Sequence, residues 1–543
     1  MMMNTPLTLR QLLERPVEYF PDKLIVSRTS QGQFHYRYRD FNQRVNQLAH
    51  GLRDMGIKPG DHVAVMAWNT FRHLELYFAI PLVGSIIHMV NFRLFPEQLT
   101  YILNHAEDVA LFVEDSIASI VEPLISQLPT VDQYIVMGDE YTPEIPGVID
   151  YETLLAGQPD AFPFPDLDEN SACGLCYTSA TTGNPKGVHY THRALYLHSL
   201  TLCAADVLAM SERDVVMPVV PMFHANGWGL PYSATWVGAT QVLPGPHPTP
   251  MDIVQLIQGE HVTVSAAVPT VWFAVEQLLA QDPSLNLRTL RTVPMGGSAV
   301  PRSFIQHMEH DWGIPITHAY GMTEATPLAT YGYVKSAIAK MDESTRYDYR
   351  AKQGIPIPGM RIRVARRDGQ EVHHDGQEMG EIWLQAPWVA DEYYHDDRTS
   401  DTFVDGWFHT GDVAAIDPEG YLRLIDRTKD LIKSGGEWIS SVELENALMG
   451  HPAVAEAAVI AVPHPYWIER PLACVVLKPD TTVKVTAEAL LSFIAPHFAK
   501  FWLPDTIVFL PEIPKTSTGK FSKVRLREWY HRGDLGTPQP NSL

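Results

Sequence analysis

Between residues 61 and 115 the sequence alternates short apolar segments with longer segments of helical periodicity, and this alternation constrains the fold most. Such an alternation is typical of βαβ units, in which parallel strands form a sheet that helices cover on its faces. The sequence therefore predicts a mostly parallel sheet in this region. The predicted strands are His62–Ala67, Ile86–Asn91 and Val109–Val113, and the predicted helices are Phe71–Val83 and Pro96–His105.

The same alternation recurs between residues 262 and 320, where the pattern predicts further α/β layers. From about Arg361 onward the apolar segments become shorter and are separated by turn-forming residues, which favours a small β-rich subdomain. The predicted strands of the second α/β region are Val262–Val268, Thr292–Met295 and Ile316–Tyr320, and its helices are Thr270–Leu279 and Pro301–His310.

The length of 543 residues exceeds the size at which one hydrophobic core usually stops growing, so at least two domains are expected. A polar, charged segment follows Ile425 and reads as a linker. We predict a large N-terminal domain over residues 1–425, a hinge over residues 426–430, and a small C-terminal domain over residues 431–543.

The small domain has the mixed pattern of an α+β unit. Ser440-Ser441-Val442-Glu443 fits a capping box that opens a helix through Leu448. The remaining predicted elements are the strands Val454–Val462, Leu472–Leu477 and Thr506–Leu510 and the helix Ala487–Phe498.

Composition and charge exclude several classes of protein. With 45% hydrophobic and 19% charged residues the chain reads as an ordinary globular protein. A formal net charge of -22 argues against nonspecific nucleic-acid binding and against a basic membrane-binding face, and we expect no nucleic-acid partner. The longest apolar stretch, from Leu76 to Val90, is interrupted by Pro81 and Gly84, so it predicts a buried helix and strand and no transmembrane segment. No basic, apolar leader is evident at the start, and we expect a cytoplasmic protein.

The cysteines and histidines indicate no metal centre of the protein's own. Cys173 and Cys176 form a Cys-x-x-Cys pair within a predicted strand, where buried packing is favoured over redox or zinc chemistry. No His/Cys cluster has zinc-finger or His-Glu-x-x-His spacing. The sequence therefore predicts no metal site built from Cys and His side chains.

A hydroxyl-rich, glycine-punctuated loop follows the apolar run from Ala172 to Cys176. It reads Tyr177-Thr178-Ser179-Ala180-Thr181-Thr182-Gly183-Asn184-Pro185-Lys186-Gly187. Hydroxyls and exposed amides donate hydrogen bonds to phosphate oxygens, and a lysine supplies positive charge. The spacing differs from the Walker pattern. Taken alone, the loop fits a phosphate site or a solvated turn.

Downstream motifs decide between these readings. They are Tyr320-Gly321-Met322-Thr323-Glu324, Asp405-Gly406-Trp407-Phe408-His409-Thr410-Gly411-Asp412, Asp426-Arg427-Thr428-Lys429-Asp430 and Pro514-Lys515-Thr516-Ser517-Thr518-Gly519-Lys520. In this order they resemble the adenylate-forming superfamily of acyl-CoA synthetases, luciferases and carrier-protein loading domains over essentially the whole chain. Two further segments resemble the branch that activates medium- and long-chain fatty acids or 3-methylmercaptopropionate, namely Phe223-His224-Ala225-Asn226-Gly227-Trp228 and Ser434-Gly435-Gly436-Glu437-Trp438-Ile439-Ser440.

The resemblance implies an AMP-forming acid:CoA ligase. Such an enzyme uses ATP, Mg²⁺ and CoA, and it activates a carboxylic acid as an acyl-adenylate before transferring the acyl group to CoA. We expect a short- to medium-chain aliphatic or methylthio carboxylate. Alternatives are a long-chain fatty acid, a different acyl acceptor such as a carrier protein, an adenylating oxygenase, or a nonenzymatic nucleotide-binding scaffold. The acid itself and the oligomeric state, including a homodimer, stay open.

The resemblance also assigns residues to the nucleotide. The phosphate contacts fall on Thr178, Ser179, Thr181, Thr182, Gly183, Lys186 and Thr323, the magnesium ligand is Glu324, and adenine lies by Tyr320, Gly321, Gly297 and Ser298. Asp412 is expected to hold the ribose hydroxyls, because a carboxylate accepts two hydrogen bonds from a diol. Arg427 is expected at the ribose or α-phosphate. Without the resemblance these would read as a turn aspartate and an exposed linker arginine.

The remaining assignments concern the acid and the moving parts. Lys520 corresponds to the lysine that contacts the substrate carboxylate and the α-phosphate during adenylation, with Thr178, Lys186 and Glu324 as its catalytic partners. Lys429 occupies the hinge of a small domain that turns between the two steps, and Gly436 matches the pantetheine tunnel. The acyl pocket is assigned to His224, Trp228, Gly296, Gly297 and Ala325. Ala180 and Trp438 depart from the family pattern, which usually has glycine and often has arginine there.

Overall fold

The computed structural model describes residues 2–138, 143–178, 184–366, 368–434, 437–478, 485–516 and 520–535. Its strands are β1 Leu24–Thr29, β2 Gly32–Arg37, β3 His62–Met66, β4 Ile86–Met89, β5 Ala110–Glu114, β6 Gln133–Met137, β7 Ile149–Asp150, β8 Ala172–Tyr177, β9 Gly187–Thr191, β10 Val215–Pro218, β11 Thr240–Leu243, β12 Val264–Ala266, β13 Val293–Met295, β14 Ile316–Gly321, β15 Leu328–Tyr331, β16 Ile355–Pro356, β17 Arg361–Ala365, β18 Gly380–Gln385, β19 Phe403–Val404, β20 Trp407–Ile416, β21 Leu422–Arg427, β22 Ile432–Ser434, β23 Glu437–Ile439, β24 Val454–His464, β25 Ile468–Leu477 and β26 Thr506–Phe509.

The helices cover the faces of these sheets. They are α1 Leu9–Tyr19, α2 Tyr38–Asp54, α3 Phe71–Leu82, α4 Pro96–His105, α5 Tyr151–Leu155, α6 His192–Leu202, α7 Leu230–Val237, α8 Pro250–Glu260, α9 Pro269–Gln281, α10 Arg302–Trp312, α11 Glu343–Arg350, α12 Thr399–Thr402, α13 Ser441–Met449, α14 Ala487–Ile494 and α15 Lys523–Arg532. None of the helices within the described ranges is long and apolar enough to cross a membrane.

A 7-stranded sheet in the order β7-β6-β5-β3-β4-β8-β9 forms the first layer. Every neighbouring pair in it is parallel except β8 and β9, which run antiparallel. Strands β3, β4 and β5 are buried along their whole length, as expected for strands that are covered on both faces. The antiparallel β8–β9 pair matters for the site, because the hydroxyl-rich loop connects these two strands.

Two further sheets complete the α/β region. A 5-stranded sheet has the order β12-β10-β11-β1-β2, and a 4-stranded sheet has the order β13-β14-β15-β16. Isolated bridges from Val264 to Thr292 and from Ala267 to Met295 join these two sheets edge to edge. The carboxyl ends of β12, β13 and β14 therefore lie side by side, where ligands collect in open α/β sheets.

The later residues form two sheets of different character. Strands β17 to β21 make an antiparallel sheet, which confirms the predicted β-rich subdomain. Strands β22 to β26 make a mixed sheet that packs against α13 and α14 around a separate hydrophobic core. The α/β class with a β subdomain and a smaller α+β unit is confirmed, whereas the division into domains at residues 426–430 stays a prediction.

The predicted elements are present, with shifts at their ends that have physical causes. The helix that opens at residue 441 begins as predicted, because the Ser440 side chain accepts a hydrogen bond from the Glu443 N–H at 3.1 Å. The helix predicted through Phe498 instead ends at Ile494, since Pro496 cannot continue it. Cys173 and Cys176 are buried free thiols within β8, in agreement with packing.

Candidate active site

A crevice of about 1340 Å³ opens where the carboxyl ends of the three α/β sheets meet the β subdomain and the C-terminal unit. The sequence separates its wall residues by more than three hundred positions. Those predicted for the site that line it are Thr178, Lys186, His224, Trp228, Gly296, Gly297, Ser298, Tyr320, Gly321, Thr323, Glu324, Asp412, Arg427, Lys429 and Lys520. The fold thus brings the scattered motifs together.

The two ends of the loop between β8 and β9 are hydrogen-bonded to each other. The Thr178 N–H donates to the Lys186 carbonyl at 2.9 Å, and the Lys186 N–H donates to the Thr178 hydroxyl at 3.2 Å. These paired bonds hold both ends of the loop together and direct Lys186 into the crevice. Partial removal from water lowers the pKa of Lys186, and the nearby Glu324 opposes that shift. The ammonium is thus close to a carboxylate across the crevice.

Glu324 lies just after β14, in a short turn opposite the lysine. Its Oε1 accepts a hydrogen bond of 2.7 Å from the Tyr393 hydroxyl, and the Lys186 ammonium lies 4.2 Å from the centroid of the Tyr393 ring. Tyr393 is thereby placed between the two charged groups.

Asp412 is a deeply buried charged group of the site. The register of β20 against β21 places it directly opposite Arg427, whose Nε lies 3.3 Å from Asp412 Oδ1. The Tyr320 hydroxyl donates to Asp412 Oδ2 at 2.7 Å. Burial raises the pKa of Asp412, and the charge of Arg427 and the Tyr320 hydrogen bond oppose the rise. Two of its acceptor positions are thus engaged by side chains of the crevice wall.

Lys520 reaches into the centre of the crevice from the C-terminal unit. A Cβ placed on Gly297, whose φ is +84°, would lie 3.1 Å from Lys520 Cε, so a side chain there would crowd the lysine. The lysine is held at its base, because the Thr516 N–H donates to the Lys520 carbonyl at 2.7 Å and the Lys520 N–H donates to the Thr516 hydroxyl at 3.2 Å. Removal from water is the largest cause that lowers the pKa of Lys520 to about 8.

The predicted hinge segment is bonded to both neighbouring units. Thr428 donates to the Gly411 carbonyl through its N–H and its hydroxyl, each at 3.0 Å. On the other side Arg527 of α15 donates to Asp430 Oδ1 from both terminal nitrogens at 2.9 Å. Lys429 between them is exposed and lines the crevice. These contacts hold the C-terminal unit in the orientation that presents Lys520.

The part of the crevice lining formed by His224, Ala225 and Trp228 belongs to a turn with left-handed backbone conformation. Five consecutive residues from Ala225 to Gly229 have positive φ values, between 44° and 75°. For non-glycine residues this region is costly, and such strain occurs most often at functional sites. It directs Trp228 toward Gly296, where an added Cβ would lie 3.6 Å from the indole Cη2. Burial lowers the pKa of His224 to about 3, so its imidazole is neutral beside Lys520.

Not every predicted site residue can be placed. Ser179, Thr181, Thr182 and Gly183 of the loop and Gly436 lie outside the described residues, as does Ala180. Ala325 is fully buried next to Glu324 and packs in the core beneath the crevice. Trp438 lies under the Lys433 ammonium, which is 5.1 Å from its ring centroid.

Sequence reasoning missed Tyr393. The segment from Asp391 to Asp397 is acidic and reads as a surface loop, and its contacts with Lys186 and Glu324 span more than sixty residues. The one local signal is a pair of adjacent tyrosines within that polar segment.

Glu324 suits the magnesium assignment by its chemistry. Mg²⁺ prefers oxygen ligands and is usually bound by one or two carboxylates together with substrate phosphates. Within the described ranges no group of three or more His, Cys, Asp or Glu side chains is arranged to hold a metal ion. The Glu324 carboxylate, close to Lys186, has the oxygen chemistry that such an ion requires.

Comparison with known proteins decides the family. Residues 13–394 match the family described as AMP-binding enzyme, and residues 443–520 match the AMP-binding enzyme C-terminal domain. The chain is an AMP-binding enzyme. This confirms the resemblance seen in the motifs.

Relatives of this AMP-binding enzyme align along nearly its whole length. It is 48% identical to a long-chain-fatty-acid–CoA ligase of Thermus thermophilus, over 97% of this chain and 96% of that protein. It is 40% identical to a medium-chain-fatty-acid–CoA ligase of Ectopseudomonas oleovorans, over 98% and 97% of the two chains. A 3-methylmercaptopropionyl-CoA ligase of Ruegeria lacuscaerulensis is also 40% identical, over 97% and 98%.

Solved structures agree with the fold of the AMP-binding enzyme. The anthranilate CoA ligase AuaEII in complex with anthranoyl-AMP superposes with a TM-score of 0.88 at 25% identity, over 98% of this chain and 99% of that one. ATP-bound MatB from Rhodopseudomonas palustris gives a TM-score of 0.81 at 26% identity, over 96% and 99%.

The pKa of Lys520 predicts a pH dependence for the AMP-binding enzyme. A lysine with a pKa of about 8 is charged below that pH and loses its proton as the pH rises through it. If its positive charge assists the reaction with ATP, kcat/KM for ATP should fall as the pH rises through about 8. Lys520→Arg keeps the charge at all these pH values, so its profile should be flat there. An identical fall in Lys520→Arg would contradict this role.

Proposed function

We propose that this AMP-binding enzyme is an AMP-forming acid:CoA ligase that acts on a short- to medium-chain aliphatic or methylthio carboxylate. The observation that carries the proposal is the convergence of Lys186, Glu324, Asp412 and Lys520 on one crevice, from four separate parts of the chain. CoA ligases named for long-chain, medium-chain and methylmercaptopropionyl acids align along nearly the whole chain, which supports the reaction class.

The chemistry explains why these groups are needed. A carboxylate is a poor acylating agent, so it is converted to a mixed anhydride with AMP when it attacks the α-phosphorus of ATP and pyrophosphate leaves. That step requires in-line positioning and stabilisation of negative charge. Lys186 and Glu324 would hold the pyrophosphate end, with Mg²⁺ bound by Glu324 and phosphate oxygens. Asp412 would hold the ribose hydroxyls.

Lys520 would act at the reacting centre. It lies against Gly297 and within electrostatic range of Asp412 and Arg427, so a nucleotide bound to Asp412 would place its α-phosphate near this ammonium. The lysine would donate to the acid's carboxylate and to an α-phosphate oxygen as charge develops. Arg427 would contact the ribose or α-phosphate, and Tyr320 would pack against the adenine beside Gly297, Ser298 and Gly321.

The second step needs CoA at the same centre. Because Lys520 and the CoA thiol would compete for one space, we infer that the C-terminal unit turns about Lys429 after adenylation and brings Gly436 to the pantetheine. The contacts of Thr428 and Asp430 would then break and re-form during each turnover.

The free thiols of Cys173, Cys176, Cys203 and Cys474 support a location in the cytoplasm.

The acid would lie between His224, Trp228 and Gly296. The uncharged imidazole of His224 and the indole of Trp228 offer aromatic surface without a formal charge, which suits an aliphatic chain or a thioether. The direct test is a panel of straight-chain, branched, aromatic and methylthio acids in an assay of CoA-dependent AMP formation. We expect the highest kcat/KM for short to medium aliphatic or methylthio acids. A preference for aromatic acids would contradict the proposed substrate class.

Lys520→Ala should separate the two half-reactions. Formation of the acyl-adenylate should fall by about 10²–10³-fold, which is typical for the loss of one transition-state donor, while thioester formation from supplied acyl-adenylate should be largely preserved. Lys515→Ala is the matched control, because Lys515 pairs with Glu456 outside the crevice. An equal loss in both half-reactions would remove Lys520 from the adenylation step.

Trp228→Ala should shift the preference toward longer acids. If the indole closes the acyl pocket, its removal opens volume that a longer chain fills, at about 0.8 kcal/mol per buried methylene. Relative kcat/KM across chain lengths, measured beside a melting curve, checks this. An unchanged profile with a lowered melting temperature would show that Trp228 only packs in the protein core.

A further inference from the structure

One loop segment contacts both the β8–β9 loop, which contains Lys186, and Glu324, the residue assigned to magnesium. We call residues 390–398, between β18 and α12, the strap. The Ala390 N–H donates to the Glu324 carbonyl at 2.8 Å, and the Tyr394 N–H donates to the Gly187 carbonyl at 2.8 Å. The strap is thus bonded through its backbone to both elements, and Tyr393 lies between these two anchor points.

A third contact extends the strap along the loop. The guanidinium of Arg398 donates to the Asn184 carbonyl at 3.3 Å, and Arg398 is itself held by an ion pair with Asp396. Gly187 also packs closely, because a Cβ there would lie 3.2 Å from the Tyr394 Cβ. The strap therefore runs alongside residues 184–187, the end of the loop that leads into β9.

Tyr393 uses two different parts of its side chain. Its hydroxyl donates to Glu324 Oε1 at 2.7 Å, and its ring lies under the Lys186 ammonium at 4.2 Å. The hydroxyl orients the carboxylate, so that the other oxygen can face an ion. The ring attracts the ammonium without neutralising its charge. Tyr393 thereby holds the Glu324 carboxylate and the Lys186 ammonium on different sides of its own side chain.

Burial and ring packing hold the Tyr393 side chain in place. Tyr393 is only 4% exposed, and its ring packs edge-on against Phe403 at a centroid distance of 5.1 Å. Its hydroxyl faces an oxygen of the Glu324 carboxylate, which accepts hydrogen bonds, so the hydroxyl is the donor.

We propose that Tyr393 is a positioning residue for the magnesium–triphosphate end of the substrate: its hydroxyl aligns Glu324 toward the divalent ion, and its ring holds Lys186 toward the phosphates. This rests on the proposed function of the crevice. Nothing reacts at Tyr393 itself. Its effect is transmitted through the carboxylate and the ammonium, and the strap fixes the distance between them.

The test measures ATP binding by calorimetry, with Mg²⁺ and with EDTA, in the wild type and in Tyr393→Phe. The phenylalanine keeps the ring and its packing and removes only the hydroxyl. Because a hydrogen bond to a charged group is lost, we expect the gain in ATP affinity that Mg²⁺ provides to shrink about tenfold, with affinity in EDTA unchanged. Tyr394→Phe is the matched control, because it loses a neighbouring hydroxyl and keeps the backbone bond to Gly187; it should behave as the wild type.

A second variant tests the ring. Tyr393→Leu should also weaken ATP binding in EDTA, since Lys186 loses its support, and a melting curve checks that the variant is folded. The proposal is overturned if Tyr393→Phe keeps the full effect of Mg²⁺, if it loses affinity equally with and without Mg²⁺, or if the wild type binds ATP no better with Mg²⁺. Acid-dependent release of pyrophosphate by the wild type is assayed separately. Its absence would contradict the proposed function and not the role of Tyr393 in ATP binding.

Discussion

The buried carboxylate of Asp412 is the interaction on which the geometry of the crevice depends. It accepts a hydrogen bond from Tyr320 of β14 and pairs with Arg427 of β21, so it joins an α/β sheet, the β subdomain and the start of the linker. Leaving a buried carboxylate without partners costs several kcal/mol, so the three elements have little freedom to move apart. Lys520 lies close to this Tyr320–Asp412–Arg427 group.

The charges of the site contrast with those of the chain. A protein with a net charge of -22 repels anionic nucleotides at a distance, so binding has to come from local groups. The crevice places Lys186, Arg427 and Lys520 at separate points, each within electrostatic range of a carboxylate. Partial desolvation lowers the pKa of both lysines, which is the expected effect of holding cations apart from water before an anion arrives. In the role proposed for Tyr393, its contacts with Lys186 and Glu324 keep these two charges apart and available to a substrate.

The sequence predicted the parts of the structure that depend on local patterns. The βαβ alternation placed β3, α3, β4, α4 and β5 to within a few residues, and the capping box placed the start of α13, because periodicity and capping are properties of neighbouring residues. The resemblance of the motifs to the adenylate-forming superfamily assigned Asp412, Glu324 and Lys520 to one nucleotide site, and the structure places all three in the lining of one crevice. No pattern predicted the hydrogen bond between Tyr393 and Glu324 or the left-handed turn from Ala225 to Gly229, because both arise from tertiary contacts. The end of α14 was missed although Pro496 signals it.

The central claim is that one crevice converts an acid and ATP to an acyl-adenylate before CoA takes part. The most direct measurement is the incorporation of labelled pyrophosphate into ATP by the wild-type enzyme, with Mg²⁺ and a medium-chain or methylthio acid present and CoA omitted. Because the first step is reversible and leaves the acyl-adenylate bound, the account predicts exchange that depends on the acid and needs no CoA. Exchange that requires CoA, or that proceeds without any acid, would contradict it.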